Sequence, residues 1–358
     1  MAAPIRLSFP SWKKTIPGFF VAFSENGGNT DDLPHVLEKT DGPLDISEEV
    51  ATAFSNEIRG KNVLITGTSV GGIGFEAARV IAKYANLVII TGHNADRLKI
   101  AEDTLKKEVP SANIRKLILD LSSLAAVRNA AAEVNAFPEP LHVLIHNAAS
   151  VIGPFKLTAD NIENQAATNH IGPFLLTKLL CPKLLASGTG QYVPRVVFVS
   201  AKGHMFCEGV NFDTLERPDP ESHEGMNAYF QTKVANILTG IELSKRSKGK
   251  INAYSLHPGV IDTNIMHKGD VPAGLKKLGI VDAAGIPTNA VYAWKTIPQG
   301  AATTVAAAFD PRLNDKPGSY LDDCVVANDT IAPHASDPGN AERLWTLTEK
   351  IIGEPFTF

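Results

Sequence analysis

Tyr229 and Lys233 stand four residues apart in a stretch, Ala228 to Ser247, that reads as a helix, so the two side chains share one face and can reach each other. A free phenol has a pKa of about 10 and is a poor acid or base at neutral pH. A neighbouring ammonium favours the phenolate and brings the tyrosine toward the working range of a proton donor or acceptor. A bare Tyr-x-x-x-Lys also occurs on solvated helix faces, so its meaning depends on the rest of the chain. Asn169 lies in Thr168-Asn169-His170-Ile171-Gly172-Pro173, inside a helix expected over Asn161 to Leu185. Pro173 has no N–H to donate to the Asn169 carbonyl, which leaves either a free acceptor or a simple proline kink. Ser200 ends an apolar run, Val196 to Val199, and is followed by Ala201.

A second group of residues has the types needed to hold a dinucleotide. The strand Val63-Leu64-Ile65 runs into Thr66-Gly67-Thr68-Ser69-Val70-Gly71-Gly72-Ile73-Gly74 and then a helix, Phe75 to Tyr84. Glycines there let the backbone approach a pyrophosphate, which sits at the helix N-terminus where free N–H groups point outward. The strand before and the helix after separate this loop from an ordinary tight turn. Thr91-Gly92-His93-Asn94 closes the second strand, where the adenosine ribose would lie. An acid at that place would accept from the 2′-hydroxyl and repel a 2′-phosphate. None is present, and His93 can donate a hydrogen bond to phosphate, so the charge logic favours NADP(H) over NAD(H).

These residues need a scaffold, and the chain's grammar supplies one. Apolar strands recur at Leu87 to Ile90, Ile114 to Leu119, Leu141 to Ile145, Val196 to Val199 and Ile251 to Leu256, with helices at Asp96 to Val109, Leu124 to Val134, Asn161 to Leu185 and Ala228 to Ser247. Continuous rather than alternating apolar strands mean burial on both faces, as in a parallel sheet. The expected fold is α/β, a doubly wound parallel (Rossmann) sheet. Residues 1–57 are expected to form an arm, irregular over residues 1 to 44, followed by a short helix in which Val50, Phe54 and Ile58 share a face. Residues 58–358 form the dinucleotide-binding domain, with 265–300 as a lobe on the substrate side.

With these motifs in hand, the chain resembles the short-chain dehydrogenase/reductase family. The family motif is Thr-Gly, three residues, Gly, one residue, Gly; here four residues separate Gly67 from Gly72-Ile73-Gly74, and the Gly71-Gly72 pair absorbs the insertion. The resemblance implies a pyrophosphate held by Gly67, Ser69, Gly72, Ile73 and Gly74, and a ribose facing His93 and Asn94. It implies an adenine contact from Asp120, for which a helix N-cap, a role Ser122 could equally take, is the alternative. Asn147-Ala148-Ala149 matches the family's Asn-Ala-Gly element beside the cofactor. Pro258, Gly259 and Val260 match the segment over the nicotinamide carboxamide, with Thr263 near the phosphates. Tyr229 would be the proton donor or acceptor, Lys233 its tuner and a ribose contact, and the Asn169 carbonyl a water-holding member of the proton relay. Gly318-Ser319-Tyr320-Leu321-Asp322-Asp323-Cys324, Asp337-Pro338 and Leu344-Trp345 resemble the retinol-dehydrogenase-like branch, and the likeness runs over residues 47 to 353.

The chain departs from the family at the catalytic serine. Relatives carry two serines after the fifth strand, the second contacting the substrate carbonyl; here Ser200 matches the first and Ala201 the second. Losing one oxyanion donor typically costs about 10²–10³ in rate. Three outcomes stay open: Ser200 shifts by one residue, another donor (His204, Lys202 or a water) takes over, or the protein does not reduce a carbonyl.

Composition narrows the classes. With 44% hydrophobic residues, 20% charged and a net charge of −4, the chain reads as a globular protein without the basic field that nucleic acid requires. No apolar run approaches the ~18 residues of a membrane span, and Pro17-Gly18 interrupts the short apolar stretch near the N-terminus, which argues against a signal peptide. Cys181, Cys207 and Cys324 are widely spaced, as expected of reduced thiols in a cytoplasmic setting. Among ten histidines, His142 and His146 are four apart but on a strand, and no spacing resembles a metal site. The expected function is an NADP(H)-dependent oxidoreductase interconverting a carbonyl and an alcohol on a lipophilic small molecule, possible as a homo-oligomer. The alternatives are a non-redox isomerase, lyase or cyclase of a natural-product pathway on the same fold, or a scaffold whose nucleotide is structural.

Overall fold

A computed structural model describes residues 46–358, apart from residues 152, 265, 267–270 and 289–292. The arm expected over residues 1 to 44 lies outside the described residues. Helices α1 (Ile46–Ala53) and α2 (Ser55–Ile58) lead into β1 (Asn62–Ile65), α3 (Ile73–Ala82), β2 (Leu87–Gly92), α4 (Ala95–Glu108) and β3 (Ile114–Ile118). The second half runs α5 (Leu124–Ala136), β4 (Val143–His146), α6 (Asn164–Ala166), α7 (Gly172–Leu185), β5 (Arg195–Val199), α8 (Phe212–Glu216), α9 (Gly225–Ser247) and β6 (Asn252–His257). It ends with β7 (Val260–Ile261), α10 (Val271–Lys277), β8 (Trp294–Lys295), α11 (Ile297–Phe309), β9 (Tyr320–Asp322), β10 (Val325–Val326), α12 (Pro333–Ser336) and α13 (Pro338–Ile352).

The main sheet has the order β10-β9-β6-β5-β4-β1-β2-β3, parallel except for the antiparallel β9–β10 pair. Strands β1, β4, β5 and β6 are buried along their whole length, the burial that continuous apolar runs imply. Alternate residues feed two cores. Val63, Ile65, Val88 and Ile90 pack with α3 and α11 on one face, while Leu64, Leu87, Leu144 and Phe198 pack with α5 and α7 on the other. The strand order reverses between β1 and β4, and a crevice opens beyond the carboxyl ends of strands at such a switch point. Among the described residues, no helix is long and apolar enough to cross a membrane.

One expected helix is interrupted. Instead of a single helix over Asn161 to Leu185, a π-turn at Ala167–Ile171 separates α6 from α7. Gly172 N–H bonds the Ala167 carbonyl, five residues back, and Pro173 follows with no N–H to offer. Gly172 is also required by packing, since a Cβ there would lie 2.2 Å from the Leu121 carbonyl oxygen. Within 265–300, Val271, Leu275, Ile280 and Val281 form a cluster of their own, against which Val260 of β7 and Trp294 of β8 pack.

The C-terminal helix is fixed by aromatic packing. Trp345 is 1% exposed, stacks on Phe356 at 4.9 Å and meets Phe174 of α7 edge-on at 4.7 Å. Glu354 beyond it takes ion pairs from Arg128 and Lys178. Removing the indole leaves a cavity that the Phe174 and Phe356 rings cannot fill, so Trp345→Ala is expected to cost about 3–5 kcal/mol of stability, measured by denaturant titration.

Candidate active site

A cavity of about 730 Å³ lies beyond the carboxyl ends of the strands and is lined from both the glycine loop and the Tyr229 helix. The loop is shaped by glycines that no other residue could replace. Gly67 has φ +73°, and a Cβ on it would stand 2.7 Å from the Ala148 Cα; a Cβ on Gly74 would stand 2.3 Å from the Asn147 amide nitrogen. The extra residue is taken up at Gly71, with φ +76°, where the Val70 carbonyl accepts a hydrogen bond of 3.0 Å from Asn264. Gly72 then caps α3 in an extended conformation, leaving the first N–H groups of the helix open to the cavity. Ser69 and Ile73 line the cavity with them.

Asn147 is engaged within the loop itself. Its amide donates to the Thr66 and Gly67 carbonyls, each at 3.0 Å, while the Thr66 hydroxyl accepts from the Asn147 and Ala148 N–H groups. This residue, expected beside the cofactor, lines the cavity and also fastens the end of β4 to the loop after β1. At the end of β2, His93 and Asn94 line the cavity, but the Asn94 side-chain oxygen Oδ1 caps α4 by accepting from Arg97 N–H at 2.9 Å. Arg97, absent from the sequence reading, lines the same end. Its signal was available as a cation in the first turn of the helix that follows the ribose-facing segment. Asp120 lines the cavity and accepts from the Ser122 N–H and hydroxyl at 2.9 and 2.6 Å. Neither of them caps α5, since Ser123 does so.

From the α9 side, Tyr229 and Lys233 face the cavity from successive turns of the helix. The Lys233 nitrogen lies 5.3 Å from the Tyr229 ring centre and donates to the Val199 carbonyl at 3.0 Å. Burial pushes the phenol up to about 12 and the ammonium down to about 8. Among the described residues, no hydrogen bond engages the Tyr229 hydroxyl. Asn169 is 2% exposed, and its side chain is fully occupied. It accepts from Ser150 N–H at 2.6 Å and donates to the Ser150 carbonyl at 2.9 Å and the Thr232 hydroxyl at 3.0 Å. Only its backbone is left for any relay. Pro258, Gly259, Val260 and Thr263 line the cavity on the far side.

The expected donors near Ala201 resolve differently. Ser200, expected among the catalytic residues, is 2% exposed and its hydroxyl donates to the Lys233 carbonyl at 2.7 Å. The single proton of that hydroxyl is therefore engaged on α9. His204 does not reach the cavity: its Nδ1 donates to the Ala201 carbonyl at 2.8 Å and its ring packs edge-on against Tyr320. Lys202 lines the cavity, yet its ammonium is held by Asp322 at 2.6 Å. Two further histidines serve packing and hydrogen bonding. His142 accepts from Asn62 N–H at 3.0 Å, and His146 bonds Thr177 at 2.8 Å and stacks on Phe198. Among the described residues, no group of three or more His, Cys, Asp or Glu could hold a metal ion.

Residues 61–208 match the short chain dehydrogenase family. The chain is 37% identical over 315 residues to the Short-chain dehydrogenase TIC 32 A, chloroplastic, of Brassica napus, covering 86% of this chain and 93% of that one. It is 34% identical over 344 residues to the Short-chain dehydrogenase/reductase prx1 of Penicillium rubens, covering 92% and 94%. The chain belongs to the short-chain dehydrogenase/reductase family. A solved structure of an uncharacterised protein from Mycobacterium paratuberculosis superimposes with a TM-score of 0.62 at 26% identity, over 85% of this chain and 98% of that one. This short-chain dehydrogenase is thus an NAD(P)-dependent oxidoreductase on a Rossmann-like sheet. The open helix N-terminus, the glycines that a Cβ would block and the buried Tyr229–Lys233 pair fit a nicotinamide dinucleotide laid along the cavity.

Proposed function

We propose that the protein interconverts a carbonyl and an alcohol on a lipophilic small molecule, using NADP(H). The observation that carries this reading is the Tyr229 hydroxyl, unengaged among the described residues and lining the cavity one helical turn from Lys233. A nicotinamide bound along the cavity would supply or accept the hydride. In the reducing direction Tyr229, with its phenol held protonated by burial, donates the proton to the substrate oxygen. Lys233 stands close enough to stabilise the resulting phenolate. Ser200 fixes the Lys233 backbone from below. Val151, Phe206, Met226, Phe230, Leu275 and Ile280 make the substrate half of the cavity apolar, which favours a hydrophobic substrate and excludes water from the reacting carbon. Part of this wall comes from the 265–300 lobe.

The choice of NADP(H) rests on charge. The ribose end offers His93 and Arg97 and no carboxylate among the β2-to-α4 residues 91 to 94. A guanidinium can grip a phosphate with a bidentate, charge-assisted pair of bonds. Arg97→Ala is expected to weaken NADPH binding about tenfold and leave NADH binding unchanged, read by nicotinamide fluorescence titration. Equal losses for both nucleotides would remove the 2′-phosphate assignment. Ala201 favours a second reading, a non-redox isomerisation, elimination or cyclisation in the same pocket. Stoichiometric conversion of NADPH with product decides for the first reading; product without nucleotide turnover decides for the second.

A further inference from the structure

We infer that Ser150 supplies the hydrogen bond to the substrate oxygen that Ala201 cannot make. The inference rests on the carbonyl–alcohol reading above and adds to it a donor from the opposite side of the site, the loop after β4. The three side chains nearest in sequence to the missing serine are all engaged elsewhere: Ser200 on the Lys233 carbonyl, His204 on the Ala201 carbonyl, Lys202 on Asp322. Ser150 lines the same cavity as Tyr229 and Ala201. Its hydroxyl oxygen accepts a hydrogen bond of 2.9 Å from the Asn164 amide, and among the described residues nothing takes its proton. A hydroxyl has one proton to give, and an amide fixed on one lone pair leaves that proton to point elsewhere. Asn164 lines the cavity too, so the rotor is held at the cavity wall.

The backbone beneath this hydroxyl is rigidly placed. Asn169 clamps Ser150 through both its N–H, at 2.6 Å, and its carbonyl, at 2.9 Å. The same Asn169 amide reaches the Thr232 hydroxyl at 3.0 Å, and Thr232 in turn donates to the Tyr229 carbonyl at 2.7 Å. One chain of polar contacts therefore ties the position of Ser150 to the turn of α9 that carries the proton donor. A donor already fixed in place acts without reorganising as charge develops, which is the condition for transition-state stabilisation. In the reducing step the hydride forms the new C–H bond, the C=O π pair moves to oxygen, and Tyr229 delivers the proton. Ser150 keeps its own proton throughout and only hydrogen-bonds the oxygen, so substrate is reduced and NADPH oxidised one for one.

The test uses the full chain with NADPH and 4-nitrobenzaldehyde, within a panel of lipophilic ketones and aldehydes. S150A is expected to lower kcat about 100-fold, with KM changed little and NADPH affinity, read by fluorescence, unchanged. S150T, which keeps a hydroxyl, should retain most of the rate. The decisive variant is S150A combined with A201S, which places a donor where relatives have one and should recover most of the lost kcat. A parent-like kcat in S150A overturns the assignment. So does a loss that neither S150T nor A201S repairs, because that pattern means the substitution damaged the Asn164–Asn169 framework. A parent chain with no Tyr229-dependent NADPH oxidation across the panel overturns the functional reading and this inference with it, whereas turnover indifferent to Ser150 overturns this inference alone.

Discussion

Tyr229→Phe is expected to lower kcat for NADPH-dependent reduction by about 10³-fold, within the range that a positioned general acid contributes, while leaving folding and NADPH affinity near those of the parent. The size of the effect follows from what the site otherwise contains. Lys233 cannot replace the phenol as donor, because its nitrogen is directed to the Val199 carbonyl at 3.0 Å. Ser200 and His204 are engaged on backbone carbonyls. Folding should be indifferent, since no hydrogen bond among the described residues depends on the phenolic oxygen and the ring remains. The pH profile adds an independent check. Burial pushes the phenol up to about 12, so it stays protonated through the neutral range; the reducing kcat of the parent should be flat from about pH 6 to 7 and fall as Lys233 loses its proton near 8. The positive charge of an oxidised nicotinamide is present only in the oxidising direction; there it would bring the tyrosine down, and the rate should rise with pH. Steady-state turnover with a confirmed carbonyl measures both. A Tyr229→Phe variant that keeps more than about one-tenth of the parent rate would remove Tyr229 from the chemistry.

The strands that position this site were legible because each is buried on both faces, and a run such as Val63-Leu64-Ile65 has no other stable place to go. The glycine loop was legible for a related reason. Gly67 and Gly74 are demanded by backbone atoms closer than any Cβ allows, and that demand is written as glycine in the sequence. What escaped the reading depends on contacts between distant segments. The interruption at Ala167–Ile171 needs Leu121 pressing on Gly172, a neighbour 51 positions away, though Pro173 hinted at it. The allocation of amides was equally hidden: Asn147 to the glycine loop, Asn94 to a helix cap, Asn169 to Ser150 and Thr232. Residue type says that an amide can bond but not to what. The edge strands β9 and β10 are too short to carry a periodic signal, and their turn places Asp323 and Cys324 at positive φ (49° and 65°) where sequence logic expects glycine or asparagine. At Ala201 the sequence exposed a deficit, and only the hydrogen bonds around it show which neighbours are already engaged.

Lys233→Met is expected to abolish reduction while making the unliganded protein more stable at pH 7. Lys233 is 2% exposed, and burial lowers its pKa from an ordinary 10.5 to about 8. Below about pH 8 the lysine is charged in both folded and unfolded chains, and the full penalty for burying that charge opposes folding. Between about pH 8 and 10.5 the unfolded chain binds a proton that the folded chain has released, so parent stability rises with pH across that window. Above it the penalty is gone. The shift corresponds to a penalty of at most about 3 kcal/mol, and a methionine of similar length avoids it. The Val199 carbonyl is not orphaned by the change, because Asn236 also donates to it at 3.2 Å. The gain of Lys233→Met over the parent should therefore be largest at and below neutrality, shrink as pH climbs past 8 and vanish near 10.5, as measured by denaturant titration at several pH values. An advantage that does not change with pH would mean that packing, not the buried charge, is responsible. On the proposed mechanism the lost activity has the same origin as the gained stability: the buried ammonium 5.3 Å from the Tyr229 ring would meet the phenolate formed during turnover with a positive charge that cannot move away.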